Sequence, residues 1–103
     1  MSEQHQRSPR TFLAEGYSPA LTARERAQRL ARLRGAAVAI ARTGRRVALL
    51  ACVDVPLDET CLLLFRAESQ GDVEAILEQA GISCDRIVQA SIDAMASTHP
   101  EGV

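Results

Sequence analysis

Val47-Ala-Leu-Leu-Ala-Cys-Val-Asp-Val55 and Thr60-Cys-Leu-Leu-Leu-Phe-Arg-Ala67, joined by Pro56-Leu-Asp-Glu59, decide the architecture. Each run is strongly apolar and of strand length, and a four-residue connection with turn chemistry folds one back on the other as a hairpin. With Val55 opposite Thr60, side chains alternate between the two faces of the pair. Val53 then faces Leu62 and Ala51 faces Leu64 on one side, while Asp54 faces Cys61, Cys52 faces Leu63 and Leu50 faces Phe65 on the other. Neither side alternates into polar residues as a sheet face left in water does, so the first run reads as a strand buried on both faces.

Both flanks of the hairpin carry helix signals. Downstream, Ser69-Gln-Gly-Asp72 supplies an N-cap, and Val73, Ile76, Leu77 and Ala80 form one apolar stripe. Gly81 follows as a C′ residue, with Ile82 placed for the hydrophobic contact of a Schellman stop. Asp85-Arg86 leads into a last strand from Ile87 to about Ile92.

Upstream, Thr22-Ala-Arg-Glu25 is a capping box opening a helix from about Ala23 to Arg42. Its expected stripe is Ala27, Leu30, Leu33 or Arg34, Ala37, Ile40 and Ala41. Arg24, Arg26, Arg29, Arg32 and Arg34 are expected to form a solvated opposite side. Gly35 inside this helix either lowers its stability by up to ~1 kcal/mol relative to alanine or marks a close approach to the sheet. Before it, Arg10 to Tyr17 alternates as a strand, with Phe12 and Ala14 on one face and Leu13, Glu15 and Tyr17 on the other.

The order β-α-β-β-α-β is the split βαβ, or ferredoxin-like, arrangement: an α+β fold with an antiparallel sheet. Right-handed crossovers place both helices on one face of it. The second apolar face then calls for a cover, and a second copy of the same sheet related by a two-fold axis is the economical one. The expectation is a homodimer of the dimeric α/β-barrel kind.

The 103 residues suffice for a single domain, read here as 10–94, with a disordered tail at 1–9 and a flexible one at 95–103. Only 3% of the chain is aromatic, too little for the stacking platforms of single-stranded nucleic-acid binders, and a net charge of −1 predicts no polyanion surface. No run approaches the ~20 apolar residues of a membrane span. Three cysteines without a secretory signal read as reduced thiols of a cytoplasmic protein.

The run from Asp58 to Ala67, Val73-Glu-Ala75, Gln79-Ala-Gly81 and Asp85-Arg-Ile-Val88, together with Phe12-Leu-Ala-Glu-Gly-Tyr-Ser-Pro-Ala-Leu-Thr22, resembles a bacterial family of small uncharacterised domains. That family includes a nickel-binding protein and belongs to the ferredoxin-like, dimeric α/β-barrel superfamily. The resemblance runs from residue 11 to about 92 and implies the fold, a dimer and nickel as a possible cofactor. Imidazole and thiolate suit nickel. The histidines, His5 and His99, fall in the expected tails, so no core histidine ligand carries over.

Two sets of residues carry candidate chemistry. Cys52, Asp54 and Cys61 share one face of the hairpin, as ligands drawn together by a metal ion, with Cys61 as an activated thiol beside Asp54 (against which a neighbouring carboxylate makes a thiol less nucleophilic), or, on the structural reading, as small apolar fillers beside a carboxylate. Glu15 and Tyr17 share a face of the first strand. Enclosed in an apolar dimer chamber, Glu15 would be suited to acid–base work; the alternative is an ion pair with Arg46, Arg66 or Arg86. The leading expectation is therefore a homodimeric binding module taking a small molecule or metal ion in its inter-sheet cavity through Glu15, Tyr17, Cys52, Asp54 and Cys61. The rivals are a cofactor-independent enzyme of monooxygenase or isomerase type using Glu15 and Tyr17 as catalytic residues, and a non-catalytic accessory protein.

Overall fold

The computed structural model of the protein describes residues 8–93. The expected tails at 1–9 and 95–103 therefore lie, Ser8 and Pro9 apart, outside the described residues, as do His5 and His99. The elements run β1 (Arg10–Tyr17), α1 (Ala23–Ala41), β2 (Ala48–Val55), a 3₁₀ turn (Pro56–Asp58), β3 (Thr60–Ala67), α2 (Gln70–Ala80) and β4 (Arg86–Ala90). The sheet order is β2-β3-β1-β4 with every neighbouring pair antiparallel. This is the ferredoxin-like α+β fold expected from the order of apolar runs.

Local signals are realised bond by bond. Thr22 Oγ1 accepts from the Glu25 amide at 3.1 Å while Glu25 accepts from the Thr22 amide at 2.9 Å, closing the capping box. At the end of α2, Gly81 is left-handed (φ 72°), and the Ile82 amide reaches the Leu77 carbonyl at 2.9 Å as a Schellman stop requires.

One core results. Phe12 and Ala14 of β1 and Leu63, Phe65 and Ala67 of β3 meet Leu33, Ala36 and Ala37 of α1 and Val73, Ile76, Leu77 and Ala80 of α2. Only the middle of α1 is buried, with Leu33 rather than Arg34 on the stripe; Ala27 and Ala41 of the expected stripe are exposed.

The hairpin register holds from Val55–Thr60 back to Ala51–Leu64, but Leu49 rather than Leu50 opposes Phe65. A bulge at Leu50 absorbs the extra residue, which edge strands tolerate because one side of their ladder is unpaired. Within one chain β2 is that edge strand, with Leu50 and Val53 exposed, and so is not buried on both faces as its composition suggested.

Gly16 and Gly35 make opposite demands. A Cβ on Gly16 would lie 3.0 Å from the Ser83 carbonyl oxygen and 3.1 Å from Cys84 Cα, both backbone atoms that cannot rotate aside. A Cβ on Gly35 would meet nothing within 4 Å, so this glycine does not mark a close helix–sheet approach. Gly35→Ala is expected to stabilise the protein by about 0.5–1 kcal/mol, and Gly16→Ala to destabilise it by about 1–3 kcal/mol. Urea midpoints of the two variants check both signs.

Candidate functional site

Cys52 and Asp54 occupy alternate positions of β2, and Cys61 of β3 stands directly opposite Asp54. All three lie on the helix-covered side, because Cys61 is two residues from the buried Leu63 and shares its face. The Cys52 and Cys61 sulfurs are 3.9 Å apart, and one ligand atom from each of the three residues lies within 4.8 Å of the others.

Arg29 of α1 completes the group. Its Nη2 donates to Asp54 Oδ1 at 2.5 Å and its Nη1 to Ser18 Oγ at 2.8 Å, with the arginine side chain 11% and the aspartate side chain 25% exposed. Arg24, Arg26, Arg32 and Arg34 are exposed as expected, but Arg29 departs from the solvated arginine face. It sits one turn before Leu33, on the stripe that faces the sheet, and its head group meets Asp54. That i, i+4 relation to Leu33 was the available signal, and the sequence reading missed it. Ser18 is held there by its amide, which donates to the Glu59 carbonyl at 2.8 Å and so ties the end of β1 to the hairpin.

Burial by itself pulls the Arg29 guanidinium down, but the hydrogen bond to Asp54 and the neighbouring negative groups outweigh it and hold it above its ordinary value. Burial, then the adjacent Cys52, push the Cys61 thiol up from 9.0 to about 12 against the pull of Arg29. Cys84 lies apart, under Gly16, its thiol raised by burial and then by Asp85. Arg29 Nε is buried and has no hydrogen-bond partner among the described residues.

Glu15 and Tyr17 lie on the other side of the sheet. Arg86 of β4 pairs with Glu15 at 3.4 Å, side chains 62% and 42% exposed, which selects one of the three arginines considered for it. Arg46 pairs instead with Glu68 at 2.8 Å. Tyr17 is 65% exposed. With Asp85 and the hairpin turn these residues border an open depression of about 420 Å³. The five candidate residues therefore do not converge on one cavity. The sheet itself separates Cys52, Asp54 and Cys61 from Glu15 and Tyr17.

No family model and no curated protein matches the chain. Among solved structures, the crystal structure of SCO4226 from Streptomyces coelicolor A3(2) is similar, with a TM-score of 0.63 over 82% of this chain and 99% of that one, at 20% sequence identity. At that identity the likeness shows the fold alone. Imidazole ligation of nickel does not fit the described residues, which contain no histidine. Among the described residues no helix is long and apolar enough to cross a membrane.

Two outcomes follow from the electrostatics. Asp54→Ala strands a mostly buried guanidinium and is expected to cost on the order of 3 kcal/mol, whereas the double variant Arg29→Met, Asp54→Leu recovers most of it. Denaturant titration of the two proteins compares them. Because the folded Cys61 thiol stays protonated while the unfolded one ionises, its contribution is intact below pH 9 and is lost as pH rises towards 12. Stability is expected to fall there by up to ~1.4 kcal/mol per pH unit from this group, a slope that Cys61→Ala reduces.

Proposed function

We propose that the chain is a homodimeric binding module in which two copies pack open sheet face to open sheet face and enclose a small, mostly apolar ligand. One observation carries this reading. The face of the sheet away from the helices presents Leu13, Val53, Leu62, Leu64 and Val88 as neighbours across four strands, interrupted at one end by the Glu15–Arg86 pair and Tyr17. Apolar walls with a few polar groups at one end are what small-molecule sites use. The opposite charges of Glu15 and Arg86 also make the face self-complementary about a two-fold axis.

The energetics set the kind of dimer. Completing the burial of these five partly exposed side chains gains roughly 0.5–1 kcal/mol each, or on the order of 5–10 kcal/mol over two copies. That is comparable with the entropy lost on association. The pairing is accordingly concentration-dependent, and a ligand filling the cavity strengthens it. The resemblance to a family of dimeric barrels supports the same arrangement.

Native mass spectrometry of untagged protein over a dilution series tests this reading. A dimer that dissociates on dilution, and that Leu64→Arg converts to a monomer with an unchanged circular dichroism spectrum, is expected. A wild-type monomer at every concentration would remove the proposal.

A further inference from the structure

The group on the helix-covered side is independent of any pairing, since every member belongs to one chain and faces away from the open sheet surface. We propose that Cys52, Asp54 and Cys61 form a binding site for a divalent, thiophilic cation that accepts tetrahedral coordination, of which zinc(II) is the type.

Spacing is the first argument. Two thiolates on one tetrahedral ion at ~2.3 Å stand roughly 3.8 Å apart, and the Cys52 and Cys61 sulfurs stand 3.9 Å apart. A disulfide needs ~2.05 Å, so the pair is not bonded; the two thiols share an S–H···S contact at the spacing that two ligands of one ion would have. The carboxylate of Asp54 falls within the same 4.8 Å span. Its Oδ1 is taken by Arg29, and its Oδ2 has no hydrogen-bond partner among the described residues. Backbone geometry supplies this arrangement: alternation puts residues 52 and 54 on one face, and register puts Cys61 across from Asp54.

Donor type and charge select the ion. Two sulfurs and one oxygen favour zinc-class ions over magnesium or calcium, which take oxygen. Two thiolates, one carboxylate, the Arg29 guanidinium and a divalent cation sum to zero charge. The metal-free group, with neutral thiols, an aspartate and an arginine, also sums to zero. Loading exchanges two thiol protons, released to solvent, for one cation, and no electron moves. A low-dielectric site thus stays neutral in both states, which is the condition for placing a cation there. Without Arg29 the loaded site would carry a net negative charge in the interior.

Two further features fit the same occupant. A cavity of about 60 Å³, bordered by Asp54, Ser18, Leu21 and Thr60, adjoins the group on the Asp54 side and has room for water. The buried Nε–H of Arg29 lacks an acceptor among the described residues, so the group has hydrogen-bonding capacity to spare. Simple filling of space by cysteine accounts for neither the carboxylate nor the unpartnered guanidinium nitrogen.

Anaerobic titration of the untagged chain with cobalt(II) reads the site directly. One equivalent per chain, with a thiolate-to-cobalt charge-transfer band and the strong visible bands of a tetrahedral ion, displaced by zinc(II), is expected. Cys52→Ser and Cys61→Ser should each lose the charge-transfer intensity and at least tenfold in affinity, while Cys84→Ser and the double variant His5→Ala, His99→Ala bind as the parent does. X-ray absorption of the zinc-loaded parent gives a readout that needs no variant to fold: two sulfurs and lighter ligands at the metal support the site. Substoichiometric binding, a spectrum without sulfur, or binding retained in Cys61→Ser would each overturn it. The subunit count decides the dimer separately.

Discussion

Leu33 of α1 and Ile76 of α2 close on Leu63 and Phe65 of β3, and this packing determines which side of the sheet is dry. Because side chains alternate along a strand, fixing Leu63 and Phe65 inward also fixes Cys61 inward and Leu62 and Leu64 outward. The partners follow through the register: Asp54 and Cys52 turn inward with Cys61, while Val53 and Ala51 turn outward with Leu62 and Leu64. One apolar contact on β3 thus sorts every candidate functional residue onto one side or the other.

The inward side then has to accommodate charge. Asp54 stands near the end of β2 on the side that α1 covers, and a carboxylate there without a partner would be expelled or neutralised. Arg29 satisfies it from the same helix that supplies Leu33, and Ser18 takes the second arm of the guanidinium. The pair is a poor source of stability compared with apolar residues of the same volume. Beside two thiols, the pair is instead part of the proposed cation site. On the outward side the problem is reversed, since apolar residues there lack a cover and a second copy is the proposed one.

Much of this was legible in the chain. The capping box at Thr22 and Glu25, the Schellman stop at Gly81 and the alternation in Arg10–Tyr17 are local patterns, and they were realised with the expected bonds. The grouping of Cys52, Asp54 and Cys61 on one face needed only the hairpin register. The bulge at Leu50 was not legible because Leu49 and Leu50 are both leucine, so moving the register by one leaves the apolar pattern unchanged. Arg29 looked like one of five solvated arginines until Asp54, twenty-five residues away, was placed against it.

The sequence by itself determined the elements, their order and the alternation of faces, because these depend on spacings of two to four residues and on caps and turns that act within one helical turn. Tertiary structure alone decided which face each strand turns inward, that β2 lies at the sheet edge, and that the cysteine–aspartate group and the Glu15–Tyr17 pair occupy opposite sides. Those outcomes depend on which apolar surface the helices bury first, and that is a competition between surfaces far apart in the chain.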